Sequence, residues 1–280
     1  MTTYEQSIAE TYQRPNLETT ILTAYEDAGK DIDQLTRDDI TTFDEFHIKG
    51  RDATRELATL ADIDRGERVL DIGSGVGGPA RTLAAEFGCH VTGIDLVEEY
   101  CSIAEMLTER VGLTDRVTFH HGNALDLSFA DATFDVVWLQ HVSMNIDDKA
   151  QLFEELNRVL TPGGKVVLHE IYAGSGGTPH FPVPWADDPS MSFLATVEGM
   201  SQLLADAGFE TLSWIDTTDE SLEWFSGKLE AMANRSADAP PPLGLNLLMG
   251  PDTPNKMKNV VRNLEQARIG VIQGVVAKPP

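Results

Sequence analysis

Two cysteines, Cys89 and Cys101, are all that 280 residues contain. That excludes a disulfide framework and any metal site built on paired Cys-x-x-Cys spacing. Basic residues are scarce as well: 21 Lys and Arg stand against 45 Asp and Glu, a formal net charge of −24. Proteins that grip phosphate backbones need clustered Lys and Arg, so no nucleic-acid partner is expected. No apolar run approaches the ~20 residues of a membrane helix, so no membrane partner is expected either. The segment Met1 to Glu10 is polar and lacks a signal-peptide pattern; with the paucity of cysteine this points to a cytoplasmic protein. The seven histidines show no HExxH-type spacing, and no metal is expected.

What the chain has in excess is carboxylate. Asp27, Asp31, Asp33, Asp38 and Asp39, then Asp187 and Asp188, spread acid over the whole length. This reads either as an ordinary acidic soluble protein or, with so little lysine, as a surface adapted to high salt, where screening relieves self-repulsion. The length allows one well-filled α/β domain with a lid or a small appendage.

The most informative stretch is Val69-Leu70-Asp71-Ile72-Gly73-Ser74-Gly75-Val76-Gly77-Gly78. An apolar run ends in a carboxylate and enters a glycine-dense turn, after which Ala80 to Phe87 reads as a helix. Gly73, Gly75 and Gly78 match the dinucleotide fingerprint. Asp71 weighs against a dinucleotide, because a pyrophosphate brought to this turn would meet a negative side chain. A donor with a sulfonium and an ammonium but no phosphate, S-adenosylmethionine, is welcomed by the same carboxylate.

The elements that follow alternate. Cys89 to Asp95 reads as a second strand, which sets Asp95 about twenty residues past the turn, where a carboxylate can accept both ribose hydroxyls. A helix over Glu98 to Val111 leads to a strand over Arg116 to His121 and to Gly122-Asn123-Ala124, where a polar side chain meets the adenine edge. Phe134 to Gln140 is a fourth strand. A helix over Asp147 to Leu160 is broken by Thr161-Pro162-Gly163-Gly164, and Lys165 to Ile171 is a fifth strand.

Taken in order, Asp71-x-Gly73-x-Gly75-x-Gly77, Asp95, Gly122-Asn123-Ala124, Phe134-Asp135-Val136-Val137 and Leu160-Thr161-Pro162-Gly163-Gly164 resemble the class I S-adenosylmethionine-dependent methyltransferases over roughly residues 65 to 172. Within that superfamily, Gly77-Gly78-Pro79-Ala80-Arg81, Gly88-Cys89-His90-Val91-Thr92 and Val136-Val137-Trp138-Leu139-Gln140 are similar to the enzymes that methylate sarcosine and dimethylglycine to betaine. Asn123 stands where many members carry Asp; it keeps an acceptor and adds donors. The resemblance implies an α/β, Rossmann-like sheet, mostly parallel with the last strand antiparallel and flanked by helices. It also implies S-adenosyl-L-methionine as cofactor and S-adenosyl-L-homocysteine as product. The expected donor residues are Asp71, Gly73, Gly75, Asp95, Leu96, Asn123, Ala124 and Gln140.

Outside this core the expected division is an N-terminal helical lid over 1–64, the donor-binding core over 65–217, a helical insertion over 218–268, and the final core strand with its tail over 269–280. Before the core, Leu17, Ile21, Leu22 and Tyr25 share one helical face, Ile32, Leu35 and Ile40 suggest a second short helix, and Ala53 to Ala61 a third. After strand five the chain is irregular from Gly174 to Ser190. Helices over Thr196 to Ala207, Ser221 to Ala233 and Asn255 to Ala267, and strands over Phe209 to Asp216 and Ile269 to Ala277, complete the pattern, with Pro240-Pro241-Pro242 stiffening a loop.

On the acceptor side, His141 is the candidate base or acceptor ligand, with Asn145, His169, Tyr172 and Trp185 as further acceptor residues. Lys49 and Arg51, two cations in a chain poor in them, read either as solvated surface groups or as a pair that meets an acceptor carboxylate from the lid. The leading function is methylation of a small amine such as sarcosine or dimethylglycine. The alternatives are C- or O-methylation of a quinone, phenol or lipid-like acceptor, and, in other classes, an NAD-dependent dehydrogenase or a non-catalytic donor-binding regulator. The partner expected is a small-molecule methyl acceptor; homo-oligomer formation is left open.

Overall fold

The computed structural model describes residues 8, 12–234 and 243–280. Pro240-Pro241-Pro242 and most of Met1 to Glu10 lie outside the described residues. Three helices precede the sheet: α1 (Leu17–Asp27), α2 (Arg37–Ile40) and α3 (Arg51–Leu60). The second helix expected around Ile32 to Ile40 is divided. Asp31 caps a short 3-10 turn, and Thr36 with Asp39 forms a reciprocal capping box that starts α2 afresh.

The sheet comprises β1 (Arg68–Ile72), β2 (His90–Asp95), β3 (Val117–His121), β4 (Phe134–Gln140), β5 (Leu160–Ala173), β6 (Glu210–Asp216) and β7 (Ile269–Ala277), in the order β3-β2-β1-β4-β5-β7-β6. All neighbouring strands run parallel except β7, which is antiparallel to both β5 and β6. Between them lie α4 (Gly78–Thr82), continued by a π-turn over Leu83–Phe87, then α5 (Glu98–Arg110), α6 (Lys149–Val159) and α7 (Val197–Asp206). The stretch before β7 holds α8 (Thr218–Ala233), α9 (Asn246–Met249) and α10 (Thr253–Glu265). β1, β4 and β7 are buried along nearly their whole length, as strands covered on both faces must be.

Leu70, Val137 and Leu168 point to one face, under α6 and α7; Val69, Trp138 and Val167 point to the other, under α3 and α4. β5 begins at Leu160 rather than Lys165. Thr161 to Gly164 does end α6, and the chain is already bonded into the sheet edge there: Gly163 N–H donates to Lys278 O at 3.0 Å and Lys278 N–H to Gly164 O at 2.8 Å. Strand order reverses at β1, which has β2 on one side and β4 on the other, and this places the crevice at the carboxyl ends of those strands. A third apolar cluster, containing Ile48, Trp185, Phe225, Met257 and Val260, closes over that end.

Candidate active site

A single cavity occupies the crevice, and the glycine turn forms one wall of it. Gly75 has φ +53°, and a Cβ added there would meet nothing within 4 Å, so the backbone faces open cavity. Gly78 is tight instead: a Cβ would stand 2.2 Å from Asp44 O, so only glycine lets the segment before α3 dock on the start of α4.

Asp71, the penultimate residue of β1, lies on the cavity wall, 2% exposed, and its Oδ2 has no hydrogen-bond partner. Burial pushes its carboxyl well above the usual range, and the charges of Glu45 and Asp95 push the same way. Asp95 is also on the wall; burial raises it, while backbone N–H groups at Val97 and Gly75 act against that. Ser74 Oγ is buried there without a partner. Leu96, Asn123, Ala124 and Gln140 all reach the same cavity, Asn123 with its Oδ1 accepting from Leu125 N–H at 3.0 Å. Among the described residues no Lys or Arg lines this cavity, whereas Asp44, Asp71 and Asp95 do. A pyrophosphate would be repelled by that wall; a ligand carrying a sulfonium and an ammonium complements it. The residues therefore fit S-adenosylmethionine: Asp95 would meet the ribose, Asn123 and Ala124 the adenine edge, and Asp71 the charged amino-acid end.

The acceptor half is built differently. His141 follows β4 with φ +55°, an uncommon conformation for a non-glycine residue, pinned by its N–H donating to His169 O at 2.8 Å. Its ring Nε2 is buried without a partner, on the cavity wall. Burial holds the imidazole well below the ordinary histidine range, and the charge of His47 adds to that, so His141 is neutral. The three rings of His47, His141 and His169 are mutual neighbours, with His141 and His169 centroids 4.7 Å apart and His47 and His141 6.1 Å apart. His47 Nε2 donates to Glu45 Oε2 at 2.9 Å, and Glu45 also accepts from Thr54 Oγ1 at 2.7 Å and Thr82 Oγ1 at 2.6 Å. Among the described residues no cluster of His, Cys, Asp and Glu is arranged to hold a metal ion.

The structure separates the expected acceptor residues. Trp185 and Asn145 line the cavity, but Asn145 is spent as a brace: it accepts from Tyr12 OH at 2.8 Å and donates to Trp185 O at 2.8 Å and Met191 O at 3.0 Å. His169 lies behind His141, 1% exposed, and does not line the cavity. Tyr172 points to the opposite face of β5 and donates to Asp216 Oδ2 at 2.8 Å. Lys49 and Arg51 are corrected too. Lys49 Nζ sits 2.6 Å from Glu56 and 3.3 Å from Glu220; Arg51 donates to Asp38 at 2.7 Å and Arg37 O at 2.6 Å. Neither lines the cavity.

The residues that take their place come from two distant segments. Tyr12, Phe46 and Ile48 approach from the N-terminal side, and Trp224, Phe225 and Met257 from α8 and α10. The acceptor wall is thus mainly apolar. The adjacent aromatics Trp224 and Phe225, and the apolar face of α10, were the available sequence signals.

Residues 70–168 match a methyltransferase domain family. Phosphoethanolamine N-methyltransferase 3 of Arabidopsis thaliana is 33% identical over 65% of this chain and 37% of its own length. The glycine/sarcosine/dimethylglycine N-methyltransferase of Actinopolyspora halophila is 28% identical over 85% of this chain and 40% of its own. The chain spans less than half the length of these curated relatives. Among solved structures, Haemonchus contortus phosphoethanolamine N-methyltransferase 2 in complex with S-adenosyl-L-methionine matches with a TM-score of 0.74 at 21% identity, over 100% of this chain and 61% of that one. No helix among the described residues is long and apolar enough to cross a membrane. The family match spans the strands that carry Asp71 and Asp95 and the turn that carries Asn123, so residues 70–168 are a methyltransferase domain, set in a sheet with the class I methyltransferase strand order.

Proposed function

We propose that the protein methylates a hydroxyl group on an uncharged, largely apolar small molecule, with His141 as the general base. One observation carries this reading: a neutral imidazole presents a buried, unpartnered Nε2 where the donor half of the cavity meets an apolar wall. A hydroxyl must lose its proton as it attacks, and a neutral amine need not. The donor, when bound, supplies a methyl group already activated on a positive sulfur. His141 Nε2 takes the hydroxyl proton, Phe46, Trp185 and Trp224 hold the acceptor's apolar body, and together they align its oxygen. Tyr12, Phe46 and Ile48 act as a lid that excludes water, and Trp224, Phe225 and Met257 supply the far wall.

Methylation of an amine is the second reading, supported by the names of the relatives above and by the resemblance around Gly77 to Arg81. A cationic methylated amine would suit the carboxylates and the faces of Trp185 and Trp224. The carboxylate of sarcosine, by contrast, would find no Lys or Arg among the described lining residues.

A radiolabelled methyl-transfer screen across phenols, hydroquinones, other apolar alcohols, sarcosine, dimethylglycine and phosphoethanolamine separates the two. The expected result is label in a hydroxylated apolar compound, with turnover reduced roughly 10²–10⁴-fold in His141→Ala and donor affinity retained. Label confined to amines, with turnover indifferent to His141→Ala, would move the assignment to N-methylation.

A further inference from the structure

We propose that Asp44, carried by the segment 41–50 between α2 and α3, is a donor-binding residue: its free Oδ1 receives the ammonium of the donor's amino-acid end, in the cavity that Asp71 also lines. Asp44 lines the same cavity as the glycine turn and is 4% exposed. Its two oxygens are used unequally. Oδ2 accepts from Arg81 Nη2 at 2.9 Å, in an ion pair whose members are 1% and 3% exposed, while Oδ1 is buried with no partner. A carboxylate oxygen taken from water without a donor is costly, and one on a cavity wall is best explained by a donor that arrives with the ligand.

The remaining acids do not compete for that role. Asp95 commits one oxygen to Gly75 N–H and the other to Val97 N–H. Glu45 is saturated by His47, Thr54 and Thr82. Among the described cavity-lining carboxylates, Asp44 and Asp71 alone carry an unpartnered buried oxygen. An ammonium has three N–H donors to offer such an oxygen; a sulfonium has none. Arg81 acts on each of the two acids, lowering both against burial. Arg81 also fixes Asp44 in place, because it donates to Val76 O at 2.7 Å and Thr108 Oγ1 at 3.1 Å.

The consequence concerns the lid. Asp44 O accepts from Gly78 N–H at 3.2 Å, and Thr82 holds Glu45 from the same helix, so segment 41–50 is seated on the first turn of α4. With its side chain on the ammonium as well, binding the donor and seating the lid become one event. The nucleoside end of the donor, which Asp44 does not touch, has no such effect.

The test compares two ligands on the intact protein: S-adenosylhomocysteine, and 5′-deoxy-5′-methylthioadenosine, which keeps the nucleoside and the thioether but lacks the amino-acid end. By calorimetry, Asp44→Asn is expected to weaken S-adenosylhomocysteine tenfold or more and methylthioadenosine less than twofold. Equal weakening of both, or none of either, overturns the role of Asp44. Wild-type protein supplies the second measurement, independent of how the variant folds. Hydrogen exchange of residues 43–50 should slow with S-adenosylhomocysteine and not with methylthioadenosine; equal protection by both overturns the proposal. Failure of the wild type to bind either ligand would instead overturn the donor assignment on which this inference rests.

Discussion

Asp95 holds the glycine turn in place: its Oδ2 accepts the N–H of Gly75 at 2.8 Å, while its Oδ1 accepts that of Val97 at 2.9 Å. The acid that ends β2 and the turn that follows β1 are therefore one unit, tied across neighbouring parallel strands. The side chain that the sequence pattern assigns to the ribose thus also sets the backbone shape of the glycine turn.

Asp95→Ala accordingly removes two charge-assisted acceptors, each worth about 1.5–3 kcal/mol. Affinity for S-adenosylhomocysteine and thermal stability should fall together. Calorimetry at a temperature where the variant is folded checks the first. An unchanged affinity would take Asp95 out of the donor site.

Arg51→Ala should act on stability and not on the acceptor. The guanidinium bridges Asp38 and the carbonyl of Arg37, tying the start of α3 to α2. Losing these bonds costs on the order of 1–3 kcal/mol. The melting temperature should drop while the acceptor KM stays within about twofold. A large rise in KM at unchanged stability would return Arg51 to the acceptor site.

Which parts of this site were legible follows from where their partners lie. Asp71, Asp95 and Asn123 each sit at the carboxyl end of a strand, and strand, turn and helix follow one another within residues 65–172, so local pattern alone placed them. The cations could not be placed that way. Lys49 and Arg51 looked available because nothing in the sequence brings Glu220 or Asp38 to them. The acceptor wall was hidden for the same reason, since Phe46, Trp224 and Met257 meet only once the sheet has formed. His47 was in view as a residue but not as part of a site. Its significance rests on its closing, with Thr54 and Thr82, around the carboxylate of Glu45.

Glu170 gives a pH prediction with a definite sign. It is fully buried behind β4 and accepts from Val142 N–H, Ser143 N–H and Ser143 Oγ, and burial pushes its carboxyl up to about 7. The folded state thus keeps a proton that the unfolded chain loses near pH 4.3. Its contribution to stability is full below that value and is lost as pH rises through about 7. Glu170→Gln mimics the protonated form and should gain on the wild type, by on the order of 3 kcal/mol, across that window. His141 and His169, held neutral by burial, act in the opposite sense, losing stability as pH falls below about 6.5. The difference between variant and wild type isolates Glu170. Urea unfolding at pH 5, 6, 7 and 8 reads it, and parallel curves would refute it.

The last prediction concerns salt. Carboxylates outnumber cations by 45 to 21 over the whole chain. Many of the cations are already engaged, as Arg55 is with Glu86 and Arg158 with Asp131 and Glu155. Added salt therefore has two opposed effects. It weakens exposed pairs of this kind, each worth about 0–1 kcal/mol, and it relieves repulsion among the carboxylates left over, which are more numerous and closer together on folding. The second effect should win, because the net charge is −24. Repulsion between near neighbours also persists where the Debye length has already shrunk from about 10 Å at 0.1 M to about 3 Å at 1 M. The melting temperature should rise continuously from low to molar potassium chloride, and more steeply than in a variant with several exposed Asp residues, such as Asp27, Asp33 and Asp115, changed to Asn. A melting temperature that is flat or falls over that range would defeat the reading of a salt-adapted surface while leaving the methyltransferase site untouched.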